Sequence, residues 1–427
     1  MSRAKLKDEG SAPTAEKERR AEILGVAAGL FASSGFHTSL QEIAAASGIL
    51  PGSLYHHFES KEAIIIELVR WYQSDLNAVA QRAMETPTGS SSLSSFERIV
   101  SLAEAISACA VKHRAALLQT LFEPPAGASA ELAQLSKQGP RAIDSAMFAV
   151  LQDGRRSGYI KPNIDLTKLA EKLCQSMLHS AVGSFHQTPG GSQVARVKCK
   201  MLLEGILEEP PKNTALDQSK AFAAANKVIA SWSSAQEDTP MNSIRRVART
   251  EFGRRGYEAT TVRHISAAAR MSTGTVYRLI GSKDALLAAI MDSYAEHITQ
   301  SWDAVLNSKA TIVEKLDALI WVNINLMEQF SDEFKIQTAW FRQSPPTTPN
   351  LEQSFNTSLE LKHIKSLLAD GERAGLFVNA GASASIRANC LLELTWTAEQ
   401  FVQSLGVRGA LNLARDTLLR GAAKRTA

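Results

Sequence analysis

The chain has 427 residues, of which 44% are hydrophobic, 21% charged and 6% aromatic, and its formal net charge is +4. This composition is typical of a folded soluble protein of two or three domains, and it excludes a disordered chain or a coiled-coil rod. The sequence contains no run of 18 apolar residues, which is the length needed to span a membrane. The first 20 residues also lack the apolar core of a signal peptide. The four cysteines form no CxxC pair, so we expect a cytoplasmic protein without a metal site, a cofactor or a disulfide framework.

Apolar residues at helical spacing begin near the amino terminus. They run from residue 17 to residue 34, and Gly35 is expected to end this first helix. Ser60 is a suitable N-cap for a long helix further on. The pattern predicts other helices in the first half at 39–47, 51–57, 92–122, 129–157, 165–186 and 193–208.

A connector separates the two halves of the chain. Pro210 and Pro211 break the preceding helix, whereas the Ala-rich stretch 216–232 is predicted to be helical, so we expect a structured spacer. Ser282 is a second long-helix N-cap, and later helices are predicted at 311–330, 332–343, 351–374, 382–405 and 409–422. No segment alternates with the period of a strand, so the sequence predicts an all-α fold.

The second half repeats the first. From Thr38 onward, residues of the first half recur 222 positions later, as Tyr55 does at Tyr277. Asp153-Gly154 recurs at Asp370-Gly371, and a Pro pair at 124–125 recurs at 345–346. Markers that keep their order at a nearly constant offset indicate a tandem duplication.

Each copy contains two short helices joined by a tight turn, which is the layout of a helix-turn-helix. In the first copy Gly48 suits the turn because glycine accepts a positive φ. Pro51 suits the first position of the second helix because no intrahelical hydrogen bond is lost there. Gly52 and Ser53 are small enough to let this helix approach a DNA groove closely. The layout predicts a DNA-reading unit in each copy.

A lysine directly follows the predicted N-cap serine in both copies, as Lys61 and Lys283. A cation at the positive end of a helix dipole is unfavourable unless an anion lies nearby. A DNA phosphate would supply that anion, and the alternative is a lysine that points into solvent. We expect the phosphate contact.

The segment Gly52-Ser53-Leu54-Tyr55-His56-His57-Phe58-Glu59-Ser60-Lys61-Glu62 resembles the amino-terminal signature of the TetR/AcrR family of bacterial transcriptional regulators. The stretch from Gly256 to Leu286, with Gly274-Thr275-Val276-Tyr277 and Ser282-Lys283-Asp284, resembles it as well. The resemblance implies nine or so helices per copy, operator binding through the first three, and release by a small molecule in the remaining bundle. Most members of the family are homodimers with one copy per chain, whereas this chain has two.

The resemblance therefore implies two consecutive TetR-like units, each with a helix-turn-helix DNA-binding domain and a helical effector and dimerisation domain. The predicted boundaries are 15–62 and 63–209 for the first unit, 210–240 for the connector, and 241–284 and 285–427 for the second unit. The expected function is a ligand-responsive repressor that binds operator DNA through two non-identical heads. The alternative is a helical protein-interaction regulator in which one head no longer binds DNA.

The two heads differ from the family pattern and from each other. Leu50 stands where the family usually has a Ser or Thr cap, and Arg270 replaces the turn glycine, where a left-handed conformation costs about 1 kcal/mol or more. Residues 241–283 include nine basic and two acidic residues, whereas residues 15–61 include four and five. The guanidinium of Arg278 has the geometry to donate hydrogen bonds to both acceptors of guanine. We therefore expect two unlike half-sites in an asymmetric operator.

The candidate DNA-binding residues belong to the two helix-turn-helix segments. They are Thr38, Ser39, Pro51, Gly52, Ser53, Tyr55, His56 and Lys61 in the first copy, and Thr260, Thr261, Thr273, Gly274, Thr275, Tyr277, Arg278 and Lys283 in the second.

The candidate effector-binding residues are apolar or polarisable side chains of the middle helices. Such residues line pockets often, but they fill plain cores more often still. They are His113, Phe122, Met147 and Met177 in the first copy, and Trp321, Phe330, Trp340, Phe355 and Trp396 in the second. The richer aromatic set makes the second copy the expected binder of a small hydrophobic effector.

Each copy also has an apolar stripe near its end, which is either ordinary core or a pairing face. The stripes are Leu169, Leu173, Met177, Ala181 and Phe185, and Ile386, Cys390, Leu394, Ala398 and Phe401. If they face each other the chain is an internal pseudo-dimer, and if they face other chains it forms a homodimer with four heads. We favour the pseudo-dimer.

No catalytic motif accompanies these features. Gly281-Ser282-Lys283 lacks the spacing of a phosphate-binding loop, and the adjacent His56 and His57 diverge on a helix rather than forming a metal site. We expect no enzymatic activity, and DNA and an effector as partners.

Overall fold

The computed structural model describes residues 12–34, 38–85, 93–120, 124, 128–180, 191–232, 239–340, 357–378 and 380–425. These ranges form α-helices and one π-helical turn, and they contain isolated β-bridges but no strand. The all-α prediction is therefore confirmed. None of the helices in these ranges is long and apolar enough to cross a membrane.

The first unit has a three-helix head followed by a bundle. The head helices are α1 (Ala12–Ser34), α2 (Leu40–Ala46) and α3 (Pro51–His57). The bundle helices are α4 (Lys61–Glu85), α5 (Ser95–Lys112), α6 (Arg114–Gln119), α7 (Ala130–Lys137), α8 (Arg141–Arg156), α9 (Leu166–Ser180) and α10 (Gly191–Glu204).

The second unit repeats this order after two connector helices, α11 (Asn213–Asp217) and α12 (Lys220–Trp232). Its head helices are α13 (Pro240–Arg255), α14 (Val262–Ala268) and α15 (Thr273–Ile280). Its bundle helices are α16 (Lys283–Leu306), α17 (Ile312–Gln329), α18 (Ser331–Trp340), α19 (Ser358–Arg373), α20 (Ala384–Thr395) and α21 (Glu399–Ala414), and the π-helical turn Arg415–Leu419 follows.

Several predicted helices are interrupted in the structure. The helix predicted at 92–122 divides at His113, which leaves helical geometry (φ −105°, ψ 30°) and faces Asp75. The helix predicted at 129–157 divides at Pro140, the N-cap of α8. The helix predicted at 382–405 divides at Trp396, whose ring stacks on Phe334. Side-chain packing between helices, rather than local sequence, sets two of these breaks.

The last helices of the two units pack against each other. Helix α10 lies against α20 and the π-helical turn, and backbone hydrogen bonds join Ile206 N–H to Leu418 O and Val378 N–H to Ile206 O, both at 2.9 Å. Gly205 and Gly421 both have positive φ, and a Cβ atom on Gly205 would lie 2.5 Å from the backbone nitrogen of Gly421. Only glycine permits so close an approach of two backbones.

A buried ion pair crosses the same contact. Lys198 Nζ on α10 donates to Glu393 Oε2 on α20 at 2.5 Å, and also to Ser176 O and Ser180 Oγ on α9. The Lys198 side chain is 1% exposed. Burying this charge is tolerable because all three acceptors surround it.

The described part of the first predicted stripe packs inside its own unit. On α9, Leu169, Leu173 and Met177 are buried where this helix packs on α5, α8 and α10 of its own unit. Ala181 and Phe185 lie outside the described residues. Of the second stripe, Cys390 and Leu394 are buried on α20, which does contact the first unit. The first unit thus pairs mainly through α10, whereas the sequence pattern pointed to α9.

The connector forms part of the second bundle. Helix α12 packs along α16 and α17, and its residues Ala221, Phe222, Ala225 and Trp232 are buried. Because one apolar face of α12 is covered in this way, the helix is held on the second unit rather than suspended between the two.

Candidate nucleic-acid interface and effector cavity

The first head is built around a capped α2 and a glycine turn. Ser39 accepts a hydrogen bond from Glu42 N–H at 3.2 Å, and Glu42 accepts one from Ser39 N–H at 2.6 Å, which together form a capping box. The Ser39 N–H also lowers the pKa of Glu42. Gly48 adopts φ 66° in the turn, and α3 begins at Pro51. Leu50, at its N-cap, makes no side-chain cap and is 76% exposed.

The second head has the same geometry with different residues. Thr261 caps α14 in a capping box with His264, and Ser272 caps α15 by accepting from Thr275 N–H. Arg270 adopts φ 54° in the turn. Its backbone hydrogen bond to Ala267 O matches that of Gly48 to Ala45 O. The turn has therefore kept its shape, and Arg270 bears the strain of a left-handed conformation.

Most predicted DNA-contacting side chains of the two heads are exposed. Tyr55 is 55% and Tyr277 50% exposed. Ser39, Pro51, Gly52, His56, Thr261, Gly274 and Arg278 are also exposed, and Ser53, Thr273 and Thr275 are half-buried. Each head thus presents one tyrosine at the same place beside residues that differ between the heads.

Two predicted contacts need correction. Thr38 is 4% exposed and Thr260 is fully buried, so neither side chain lies on the surface that would meet DNA. The Thr260 hydroxyl donates to Glu251 O and Gly256 O, and it fastens the loop between α13 and α14. The threonine that recurs as Thr38 and Thr260 is therefore explained by the folding of the heads and not by contact with DNA.

The lysines at the starts of α4 and α16 have partners inside the chain. Lys283 Nζ donates to Tyr257 O and Thr260 O, each at 3.1 Å, and lies 4.1 Å from the centre of the Tyr257 ring. Lys61 Nζ lies 6.0 Å from the centre of the Phe31 ring, and burial lowers its pKa. The two carbonyl acceptors of Lys283 offset the unfavourable helix dipole within the chain, and for Lys61 the Glu42 carboxylate opposes the effect of burial on its pKa. The placement of the lysines is therefore no longer an argument for phosphate binding.

The basic excess of the second head is smaller at its surface than in its sequence. Arg249 pairs with Glu333, and Arg254 and Arg255 both pair with Glu251. The exposed arginines of this head are Arg246, Arg263, Arg270 and Arg278. These four supply its positive surface.

A cavity of about 600 Å³ lies in the first bundle. Its walls come from α4, α6, the junction of α7 with α8, and α9, and Gln400 of the second unit also lines it. Gln400 donates to Gln175 Oε1 at 3.3 Å. The apolar part of the lining includes Tyr72, Leu76, Leu117, Ile143 and Leu178, and the polar part includes Gln73, Asn77, Gln138, Arg141, Asp144, Glu171, Gln175 and His179. Burial raises the pKa of Asp144.

Comparison with known proteins gives the heads a family. The model of the bacterial regulatory proteins of the tetR family matches residues 23–68 and 244–290. The HTH-type transcriptional repressor KstR2 of Rhodococcus jostii is 32% identical over 192 residues, which are 44% of this chain and 90% of that protein. The chain belongs to the TetR family.

The chain is also similar to another curated relative and to a solved structure. KstR2 of Mycobacterium tuberculosis is 30% identical over 196 residues, 45% of this chain and 94% of that protein. The solved structure of the ketosteroid transcriptional regulator KstR2 of Mycobacterium tuberculosis is 26% identical and covers 42% of this chain and 89% of that one, with a TM-score of 0.35. The two family matches confirm that this TetR protein carries two TetR-like units, and its relatives make it a DNA-binding transcriptional regulator.

None of the predicted effector residues whose side chains the structure describes lines the cavity of the first bundle. His113 is buried with Nε2 2.8 Å from Asp75 Oδ2, and Met147 and Met177 are fully buried in the first core. Phe122 and Phe355 lie outside the described residues, and the side chain of Trp340 is not described. Sequence reasoning missed the cavity because its polar lining residues carry no periodic signal.

In the second unit the predicted aromatic residues contact other aromatic rings. Trp321 stacks on Phe222 of α12, and Phe330 lies edge-on to Trp232 of α12. Two residues that the sequence predicts as effector-binding thus pack on rings of the connector helix α12.

The sequence also gave no sign of the contacts that fasten each head to its bundle. In the first unit, Arg114 Nη1 of α6 donates to Ala32 O of α1 at 2.9 Å. In the second unit the polarity is reversed, because Arg249 of α13 donates to Glu333 of α18 at 3.1 Å and Thr250 to Asp332 at 2.8 Å. Burial raises the pKa of Glu333. Residues so distant in sequence share no local pattern.

Proposed function

We propose that this TetR-family protein is an effector-released repressor that works as a single-chain pseudo-dimer with two unlike DNA-reading heads. The observation that carries the proposal is the packing of α10 against α20 and the π-helical turn in a chain with two helix-turn-helix heads. Family members with one unit need two chains to present two heads, whereas this chain brings both. Repression is supported by relatives that are named transcriptional repressors.

The cavity of the first bundle is the proposed effector site. Its mixed lining suits an amphipathic molecule with an apolar body and hydrogen-bonding groups, rather than a purely hydrophobic one. Leu117 of α6 lines the cavity, and Arg114, one turn earlier on the same helix, holds Ala32 O of α1. A molecule that displaces α6 therefore changes the placement of the first head, which is the route we propose for release from DNA.

The two heads are proposed to read different half-sites. Arg278 on α15 has the guanidinium geometry that recognises guanine, whereas α3 presents His56 at the same position. The two heads also differ at the N-cap of the helix expected to enter the DNA groove. Leu50 at the start of α3 is exposed and makes no side-chain cap, whereas Ser272 caps α15.

The test is selection of a binding sequence from random duplex DNA, followed by a nuclease footprint with the purified full chain. Protection of about two helical turns by one chain, with unlike half-sites, is expected for paired heads about 34 Å apart. Protection of twice that length would mean a homodimer with four heads engaged. Protection of one half-site alone, with affinity unchanged in Arg278→Ala, would favour the alternative in which the second head contacts another protein.

Single substitutions and the dependence of affinity on salt concentration provide two controls for the same experiment. Arg278→Ala is expected to weaken binding to the second half-site by about 10- to 100-fold, and His56→Ala to affect the first half-site instead. Binding that does not weaken as salt rises would contradict a DNA interface built on arginines.

A further inference from the structure

We propose that α12 is a built-in occupant of the second unit's effector cleft, whereas the cavity of the first bundle stays open to an effector. The inference rests on the proposed function, because it takes the bundle of each unit as the place where an effector binds. It adds that the two units respond differently: one is open to a small molecule, and the other is closed by a segment of its own chain.

The repeat shows where the second cleft should be. Helices α4 and α16 both start one residue after an N-cap serine, 222 positions apart, so cavity-lining Tyr72 and Leu76 correspond to Tyr294 and Ile298. In the first unit, α8 packs against both α4 and α5. In the second unit α12 packs along the corresponding helices α16 and α17, and α19, which repeats α8, packs mainly against α17 and α20.

Helix α12 holds this position with two aromatic anchors. Phe222 stacks on Trp321 with ring centres 5.3 Å apart and planes 23° apart, and Asn226 Oδ1 accepts a hydrogen bond from Trp321 Nε1 at 2.8 Å. At the other end of α12, the Trp232 ring centre is 5.5 Å from that of Phe330. A stacked ring, an edge-on ring and one directed hydrogen bond are the contacts by which a pocket holds an amphipathic ligand.

Charged groups fix the start of the connector helices at the same cleft. Asp217 Oδ1 accepts from Arg408 and from Arg415, each at 2.9 Å, and the Arg408 guanidinium lies 5.4 Å from the centre of the Phe222 ring. Arg415, which is fully buried, is also paired with Asp317. The anchors therefore do not depend on the apolar face of α12 alone.

The side chain that corresponds to cavity-lining Tyr72 is buried in an aromatic cluster that includes a ring of α12. Tyr294 is 1% exposed, its ring centre lies 6.0 Å from that of Phe330, and Phe330 in turn contacts Trp232. The Tyr294 hydroxyl has no hydrogen-bond partner among the described residues. A buried hydroxyl with no partner is costly, and Phe330 links the ring that carries it to Trp232 of α12. Because α12 is covalently attached, its effective concentration is about millimolar, which a dilute effector does not overcome.

The experiment counts binding sites with 8-anilinonaphthalene-1-sulfonate, an amphipathic aromatic probe, by calorimetry on the DNA-free full chain. All variants carry Leu117→Trp, which narrows the first cavity equally in each, so that a difference in the number of bound probe molecules reports on the second unit. The unplugged variant is Phe222→Ala/Trp232→Ala, and the matched control is Lys227→Ala, an exposed change on the same helix. We expect the unplugged variant to bind one probe molecule more than the control, and indole, which replaces the missing Trp232 ring, to displace that probe.

Two results would overturn the proposal. One is an unplugged variant with the helicity of the control that binds no additional probe, which would make α12 an ordinary core helix. The other is a control that already binds the probe at an indole-sensitive site, which would mean that the cleft is open. If the double variant loses helicity, Trp232→Ala alone is judged by the same criterion. Because the count is made without DNA, a failure of the chain to bind DNA would refute the proposed function and leave this result standing.

Discussion

Arg270 holds a left-handed backbone conformation (φ 54°) where the first head has Gly48 (φ 66°). The second head thus keeps the turn while bearing a strain that glycine avoids. A cation in the exposed turn of a DNA-reading motif gives a reason to tolerate that strain, because it adds charge at the surface that would face phosphate.

Arg270→Gly is expected to raise the free energy of unfolding of the second head by about 1 kcal/mol, because it removes the strain of a side chain at positive φ. Denaturant unfolding monitored by circular dichroism measures the change. Arg270→Ala is the control, since it removes the charge and keeps the strain. An equal gain in both variants would show that charge repulsion, rather than backbone strain, is relieved.

His113, at the break between α5 and α6, is expected to make the stability of the fold depend on pH. Burial lowers its pKa, although hydrogen bonding to Asp75 opposes the shift. The unfolded chain therefore takes up a proton below about pH 6.5 while the folded chain does not, so stability should fall as the pH drops below that value, down to the lower pKa of the folded state. His113→Gln, which keeps a donor for Asp75, should flatten this part of the curve in urea unfolding. A curve that keeps its slope in the variant would place the titrating group elsewhere.

Helices α10 and α20 carry the contact between the units, and one ion pair within it is accessible to a double-mutant cycle. Glu393→Gln leaves the Lys198 ammonium, which is 1% exposed, with neutral acceptors. This should cost about 1–3 kcal/mol of stability, and Lys198→Met/Glu393→Gln should cost less than the sum of the single changes. Thermal and urea unfolding measure both.

The pair of Lys335 and Glu399 is the matched control for that cycle. Its side chains are 40% and 30% exposed, so Glu399→Gln should change stability by no more than about 0.5 kcal/mol. Equal losses in Glu393→Gln and Glu399→Gln would mean that the buried pair contributes nothing special to the contact between units.

Local sequence predicted the heads well because their geometry depends on local chemistry. Ser39 with Glu42, Gly48 and Pro51 each specify a cap, a turn or a helix start within a few residues. It predicted the bundles less well because apolar spacing shows that a residue is buried without showing against what. The sequence predicts, for example, that Trp321 lines a ligand pocket. Its ring stacks instead on Phe222, which lies 99 positions earlier in the chain.

The two units interlock near the carboxyl terminus of the chain. Lys161 Nζ donates to Gly421 O at 2.7 Å, and Ala422 N–H donates to Leu202 O at 3.1 Å. Together with the close approach of Gly205 and Gly421, these contacts fix one unit against the other over several elements. If the heads act from this frame, their separation is set by the packed bundles and not by the length of a linker.

The spacing of the half-sites in DNA is therefore expected to be strictly limited. Inserting five base pairs between them turns the second half-site to the opposite face of the duplex and should lower affinity at least about tenfold, toward that of a single half-site. Inserting ten base pairs restores the face but adds about 34 Å, which interlocked bundles cannot span, so affinity should stay low. Mobility shifts at one fixed salt concentration measure the affinities for the original operator and for the two insertions, with single half-sites as controls. Recovery with the ten-base-pair insertion would show that the heads move independently and that the contact through α10 does not hold them on DNA.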